Sequence, residues 1–390
     1  MLLAACGDDA ASDDGSEDTG ATTASTPATG DDTDTPATTD TQDTTGGEET
    51  AADTTSGNDD DTDSESESDS DTDTAEVCAE ALGLFADDTC ETLADGIVPF
   101  APQYILWSDG LAKERFVYLP PDSTIDVSDA DVWDFPVGTI FWKHFISQEG
   151  VFLETRRFEK TIDTRGPDGW TFATYVWNEE GDDVEAVVNG AENVLGSDHD
   201  IPSVADCTQC HSGGASGMTM GPGPMQDELT DVPLGFSAIQ LNHDGSDTTL
   251  SSLDADGWLD GTVSTTDAVM PGDATATEAL GYLHANCGHC HGGSSPAGGM
   301  TLWVDVGTAT VEESTTYQNT VDVPTGEAPG MGLEDLPDLR IAPGDPENSA
   351  LPWRMSRRTM DDAPMPPLAT EVVDDDGVDA VEAWITSLGG

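Results

Sequence analysis

Tyr282-Leu-His-Ala-Asn-Cys-Gly-His-Cys-His291 is the stretch on which the reading of this chain turns. It closes a segment of helical character, Ala276 to Asn286, and ends in Cys287-Gly-His-Cys290-His291. The same Cys-x-x-Cys-His pattern occurs once more, as Cys207-Thr-Gln-Cys210-His211. Two thiols three positions apart can add to the two vinyl groups of one porphyrin, and the histidine that follows then lies under the ring, where its imidazole can bind iron. With seven Cys and seven His among 390 residues, chance gives roughly 0.002 such matches per chain. Each motif therefore reads as the covalent attachment site of a c-type haem, two in all. Cys207, Cys210, Cys287 and Cys290 would hold the rings, with His211 and His291 as axial ligands to iron.

Outward from these motifs, composition divides the chain sharply. Residues 7–76 are almost wholly Asp, Glu, Thr, Ser, Ala and Gly, without Lys, Arg or an aromatic residue. Such a segment buries too little apolar surface to offset its ordering entropy, so a disordered acidic tether is expected. A neutral coil of this length spans about 45 Å, and like-charge repulsion extends it further. Residues 1–6, Met-Leu-Leu-Ala-Ala-Cys6, resemble the end of a bacterial lipoprotein signal whose Cys is lipidated after cleavage. The basic region and most of the apolar region of such a signal are missing, so a misplaced start codon or a truncated precursor is expected. The anchor places the protein outside the cytoplasm, in the periplasm or at the cell surface. That compartment favours a disulfide between Cys78 and Cys90, after which no cysteine is left over.

Formal net charge is -68, and all eleven basic residues lie after position 112. Nucleic-acid binding is excluded as a function class, because phosphate recognition needs a basic surface. An acidic face suits a solvated surface or the steering of a basic redox partner.

The fold class expected is α+β. Residues 77–200 carry runs rich in aromatic and β-branched residues: Arg115–Leu119, Thr139–Phe145, Phe152–Phe158 and Trp170–Trp177, bounded by Pro, Gly and Asp turns. They predict an all-β antiparallel domain of sandwich or barrel-like form. His144, Lys143 and the Arg156-Arg157 pair alternate with apolar neighbours and read as strand positions facing solvent. Residues 201–270 form a loop-rich segment around the first motif; the acidic run Leu253–Asp260 does not match an EF-hand loop. Residues 271–390 read as a mostly helical domain, closed by a helix with Val378, Val381, Ile385 and Leu388 on one face and Trp384 beside them.

For the second motif a sixth ligand can be named. Ala363-Pro-Met365-Pro-Pro367 precedes the last helix, and its prolines stiffen a loop that can bring the Met365 thioether to the iron, in competition with Met360. Met/His ligation raises the potential and closes the iron to small ligands, which suits electron transfer. For the first motif the candidates are Met218, Met220, Met225, His199 and His243, or an open position. The Cys-x-x-Cys pairs also match the ligand spacing of a structural zinc site. The immediate His in both pairs and the exported context favour haem.

The chain resembles a family of bacterial dihaem c-type cytochromes. The resemblance is carried by Leu106-Trp-Ser-Asp-Gly110, Arg115-Phe-Val-Tyr-Leu-Pro120, Phe135-Pro-Val-Gly-Thr139, Tyr175-Val-Trp-Asn178, Ile201-Pro-Ser203, Ala238-Ile-Gln-Leu-Asn242, Pro343-Gly-Asp-Pro-Glu-Asn-Ser349 and Met365-Pro-Pro367. The stretch from Tyr282 to His291 with the Met-Pro-Pro ending is similar to a cytochrome c domain. The resemblance implies haem at both motifs and electron transfer between redox partner proteins in the cell envelope. The alternative is a peroxidase-like oxidoreductase in which the first iron keeps an open site and the second haem feeds it electrons. A third class is a binding module whose β domain recognises a partner dehydrogenase.

Overall fold

The computed structural model describes residues 76–211, 233–292, 299–326, 333, 335–359, 363–367 and 370–390. They belong to one compact unit, Asp71–Gly390. Cys6, the tether, Met218, Met220, Met225 and Met360 lie outside the described residues.

In chain order the elements are β1 (Glu76–Val77), α1 (Cys78–Leu82), β2 (Ile97–Phe100), β3 (Ala112–Tyr118), β4 (Ile125–Asp126), β5 (Ile140–Ile146), β6 (Phe152–Lys160), β7 (Trp170–Trp177) and β8 (Asp183–Ala186). There follow α2 (Cys207–Cys210), α3 (Ala238–Leu241), α4 (Leu250–Ala255), β9 (Leu259–Asp260), α5 (Ala274–Asn286), α6 (Thr315–Thr320), α7 (Ala350–Met355) and α8 (Asp375–Ser387). The four strands expected from residue pattern are β3, β5, β6 and β7. With β1, β2 and β8 they build one antiparallel sheet in the order β1-β8-β7-β6-β5-β3-β2. A parallel pair, β4 with β9, makes a separate two-stranded sheet.

This corrects the expected sandwich or barrel. The seven-stranded sheet runs from one edge, β1, to another, β2, and its two faces are covered by different partners. On one face Phe116, Trp142, Trp177 and Val184 pack on Cys78, Leu82 and Leu84 of the N-terminal segment. Cys78 and Cys90 are joined there in a disulfide, their Cα atoms 6.3 Å apart. The other face contributes Val117 and Phe141 to a core shared with Phe236 and Ile239, with Leu280 and Leu283 of α5, and with Val381, Trp384 and Ile385 of α8. Residues of the β-rich and helical regions thus share one core.

The two long helices start at carboxylate caps: Asp273 accepts the Ala276 N–H at 3.0 Å, and Asp374 accepts that of Gly377 at 3.1 Å. Glycine lets them cross closely. A Cβ on Gly377 would lie 2.2 Å from the Tyr282 ring of the other helix, while Gly281 makes room for Tyr104 from the loop between β2 and β3. The α8 face is as periodicity implies, with Val378, Val381, Trp384 and Ile385 all buried.

Candidate functional site

Each Cys-x-x-Cys-His motif is wound as one helical turn. The His211 N–H donates to the Cys207 carbonyl at 3.0 Å, and the His291 N–H to the Cys287 carbonyl at 2.8 Å. In each, the two thiols and the imidazole sit at i, i+3 and i+4, the spacing that gathers side chains on one face of a helix. The first turn is set by Ser203 and Asp206: the Asp206 carboxylate accepts from the Ser203 N–H at 3.2 Å and from its hydroxyl at 2.6 Å. The second follows α5 directly, held by Asn286, which accepts from the Trp107 N–H at 2.7 Å and donates to the carbonyls of Ile105 and Tyr282.

The two motifs, distant in sequence, border the same cavity. Its volume is about 450 Å³, and its wall includes Cys207, Cys210, His211, Cys287, Cys290 and His291 together with Met365. The Cys290 thiol donates to the Gln209 carbonyl at 3.4 Å, so the motifs touch. Donor atoms of Cys210, His289 and Cys290 all lie within 4.8 Å of one another. The hydrogen bond between the two thiols holds Cys210 well below the usual thiol range and pushes Cys290 far above it. Burial alone raises the Cys287 thiol to about 12. Among the described residues, the buried His289 Nδ1 has no hydrogen-bond partner.

Met365 is positioned by its own backbone. Its N–H donates to the Arg354 carbonyl at 3.2 Å, Arg354 Nε donates to the Ala363 carbonyl at 2.9 Å, and Arg358 donates to the Met365 carbonyl at 3.4 Å. The chain just beyond is tied to the loop before β3. Asp109 accepts the N–H groups of Glu371 and Val372, and the Trp107 indole donates to the Val372 carbonyl.

His199 and His243, both candidates for the first motif, are engaged elsewhere. The His199 ring nitrogens contact Asp109 at 3.2 Å and Glu154 at 3.0 Å, and the residue is 1 % exposed. His243 Nε2 meets the Ala101 carbonyl at 2.8 Å, and its Nδ1 accepts from Gly245. Neither lines the cavity. Met300 and Met355, which carry no local sequence signal, do line it. Rings of Phe158 and Phe172 lie 5.1 and 5.6 Å from that of His211.

The strand positions read as solvent-facing are not. His144 is 1 % exposed and bonded to Thr155, and burial pushes its pKa down to about 4. Lys143, Arg156 and Arg157 are partly buried, and all three border the cavity. Six of the eleven basic residues of the chain do so, against one acidic residue, Asp206. The wall therefore combines aromatic and aliphatic surface with cations, four thiols, imidazoles and thioethers. That donor set fits a large, flat, apolar group that carries carboxylates and a metal with nitrogen and sulfur ligands. The volume lies within the range of about 300–1,000 Å³ typical of organic-ligand pockets.

Set against known protein families, characterised proteins and solved structures, the chain matches none.

Proposed function

We propose that the protein is a dihaem c-type cytochrome that passes electrons between partner proteins in the bacterial cell envelope. The observation that carries this reading is the shared cavity: both attachment motifs and the Met365 thioether border one space. Haem, when bound, supplies one-electron redox chemistry. Cys207 and Cys210 would hold one ring and Cys287 and Cys290 the other, with His211, His291 and Met365 directed to iron. The chain does the rest. Asn286 orients the second attachment turn, Arg354 and Arg358 position the Met365 backbone, and Phe158 and Phe172 shield His211 from water. The acidic exterior favours a basic redox partner, and Cys6 would tether the assembly to a membrane through lipid.

The test is direct. Produced in a host with c-type haem maturation, the chain should retain haem through denaturing electrophoresis, at two per polypeptide by pyridine haemochrome. One zinc ion per chain and no haem would overturn the proposal in favour of a thiolate–imidazole metal centre at Cys210, His289 and Cys290.

A second reading, a peroxidase-like enzyme with an open iron at the first haem, is favoured by the engagement of His199 and His243 outside the cavity. Carbon monoxide or cyanide binding to one haem supports it. Two low-spin haems that bind neither ligand refute it.

A further inference from the structure

The cavity-facing side of the sheet is ordered in rows. Strand register places Val117, Phe141, Phe158 and Phe172 side by side across β3, β5, β6 and β7. Two residues along each strand, on the same face, comes a second row: Arg115, Lys143, Arg156 and Thr174. The rows are about 6.6 Å apart by the strand rise. Like charges placed directly opposite on neighbouring strands repel, yet three cations stand in line here.

One carboxylate answers them. Glu154, wholly buried, pairs with Arg156 at 2.6 Å. Arg115 is 6 % exposed, and its side chain has neither a hydrogen bond nor an ion pair among the described residues. Lys143 rests on the Phe145 ring, 4.4 Å from its centroid, and likewise has no anionic partner among the described residues. Burial, reinforced by the neighbouring Arg115 and Arg156, holds the Lys143 amine well below the usual lysine value. Burial also draws Arg115 down to about 10. Among the described residues, three basic side chains against one paired carboxylate leave Arg115 and Lys143 without an anionic partner. An aromatic row beside them offers a surface for a flat apolar body.

We infer that this row is a dicarboxylate site: Arg115, Lys143 and Arg156 receive the two propionate groups of the haem attached at Cys207 and Cys210, whose ring lies over the Phe158–Phe172 row. The inference rests on the haem reading above and adds to it the orientation of the first ring. Two propionates match these two basic side chains, and the step from apolar row to cation row matches an amphipathic disc with its acids on one edge. Lys113, Glu154, His199 and the Cys207 and Cys210 thiols are the other titratable groups that act on the row, and Asp109 and Asp374 act on Lys113 beside it. Glu154 and Asp109 are held below their ordinary values, and His199 is raised above 6.5.

The experiment labels the haem carboxyls alone. Cells fed δ-aminolevulinate carrying ¹³C at its carboxyl carbon yield the full-length holoprotein with labelled propionates and unlabelled side chains, so the infrared carboxyl bands report only the haem acids. In the unsubstituted protein at least two of the four propionates should stay ionised well below the ordinary carboxylate pKa of about 4, because nearby cations favour the charged form. Lys143→Met should lower that pair's acid dissociation constants toward ordinary values, a change of tenfold or more, with two haems still attached. Arg115→Gln is the second variant, with the same expected shift, should the first not mature. All four propionates titrating in the ordinary range, or no shift in a variant that holds two haems, would overturn the dicarboxylate site. Absence of covalent haem in the unsubstituted chain would instead overturn the cytochrome reading.

Discussion

Replacement of Glu154 by glutamine tests the buried charge network behind the cation row. Glu154 has no exposed surface, contacts Arg156 at 2.6 Å and His199 at 3.0 Å, and through His199 joins Asp109. Hydrogen bonds to charged groups contribute about 1.5–3 kcal/mol each, so two contacts amount to about 3–6 kcal/mol. Breaking one partner of a buried ion pair costs about 3–5 kcal/mol, and the two routes agree. In a folded unit the size of Asp71–Gly390 each kcal/mol lowers Tm by about 1.5 °C, so Glu154→Gln should lower Tm by at least about 4 °C at pH 5.5. The pH dependence follows from the shifts. Burial opposes the charged His199 ring, but its hydrogen bonds to Asp109 and Glu154 outweigh burial and raise its pKa. Its contribution is full below 6.5 and is lost as pH rises through the folded value. Burial likewise opposes the Glu154 carboxylate, and the Arg156 charge outweighs it, so the pKa falls. That contribution is present above the ordinary value and is lost as pH falls through the folded one. The network stabilises most between about pH 4.5 and 6.5, and the variant should show a smaller alkaline decline, since the Asp109 hydrogen bond to His199 remains. Thermal unfolding followed by circular dichroism from pH 4 to 9 measures both. A Tm within 2 °C of the parent at pH 5.5, with an unchanged alkaline slope, refutes the reasoning.

Met365→Ala should lower the midpoint potential of one haem and leave the other in place, as read by redox titration; two unchanged potentials remove Met365 as a ligand. Cys78→Ser should cost about 3 kcal/mol, the loop-entropy value for a ring of this size, and should abolish the effect of reductant on Tm seen in the parent. Asp131→Asn should raise Tm at pH 7 but not at pH 4. Burial lifts the Asp131 pKa to about 6, so ionisation above that value destabilises the fold, by on the order of 1 kcal/mol, while asparagine still accepts the Val306 N–H now bonded at 2.9 Å.

Much of the local structure is legible from residue type and period. Trp170–Trp177 is a strand because aromatic and β-branched side chains fill both faces between turn residues, and Phe152–Lys160 because Phe152, Leu153, Thr155 and Phe158 anchor it among charged side chains. That same two-sided apolarity suggested a sandwich. It arises instead because unlike partners cover one sheet, α1 with its disulfide on one face and the helical region on the other. The Cys-x-x-Cys-His motifs were legible; their meeting at one cavity depends on tertiary packing that no local period encodes. Lys143 and Arg156 followed the alternation of exposed strand residues, since a polar position looks the same whether it faces water or an internal polar cavity. Met300 and Met355 had no neighbouring signal at all.

The inward gathering of cations has a consequence for the protein in solution. With six of eleven basic side chains on the cavity wall and Lys160 only 2 % exposed, the outer shell is left almost entirely to carboxylates. Their mutual repulsion opposes compaction and keeps copies apart, and dissolved sodium or potassium ions relieve it. The Debye length contracts from about 30 Å at 0.01 M to about 8 Å at 0.15 M. Folding stability should therefore climb with ionic strength across that interval.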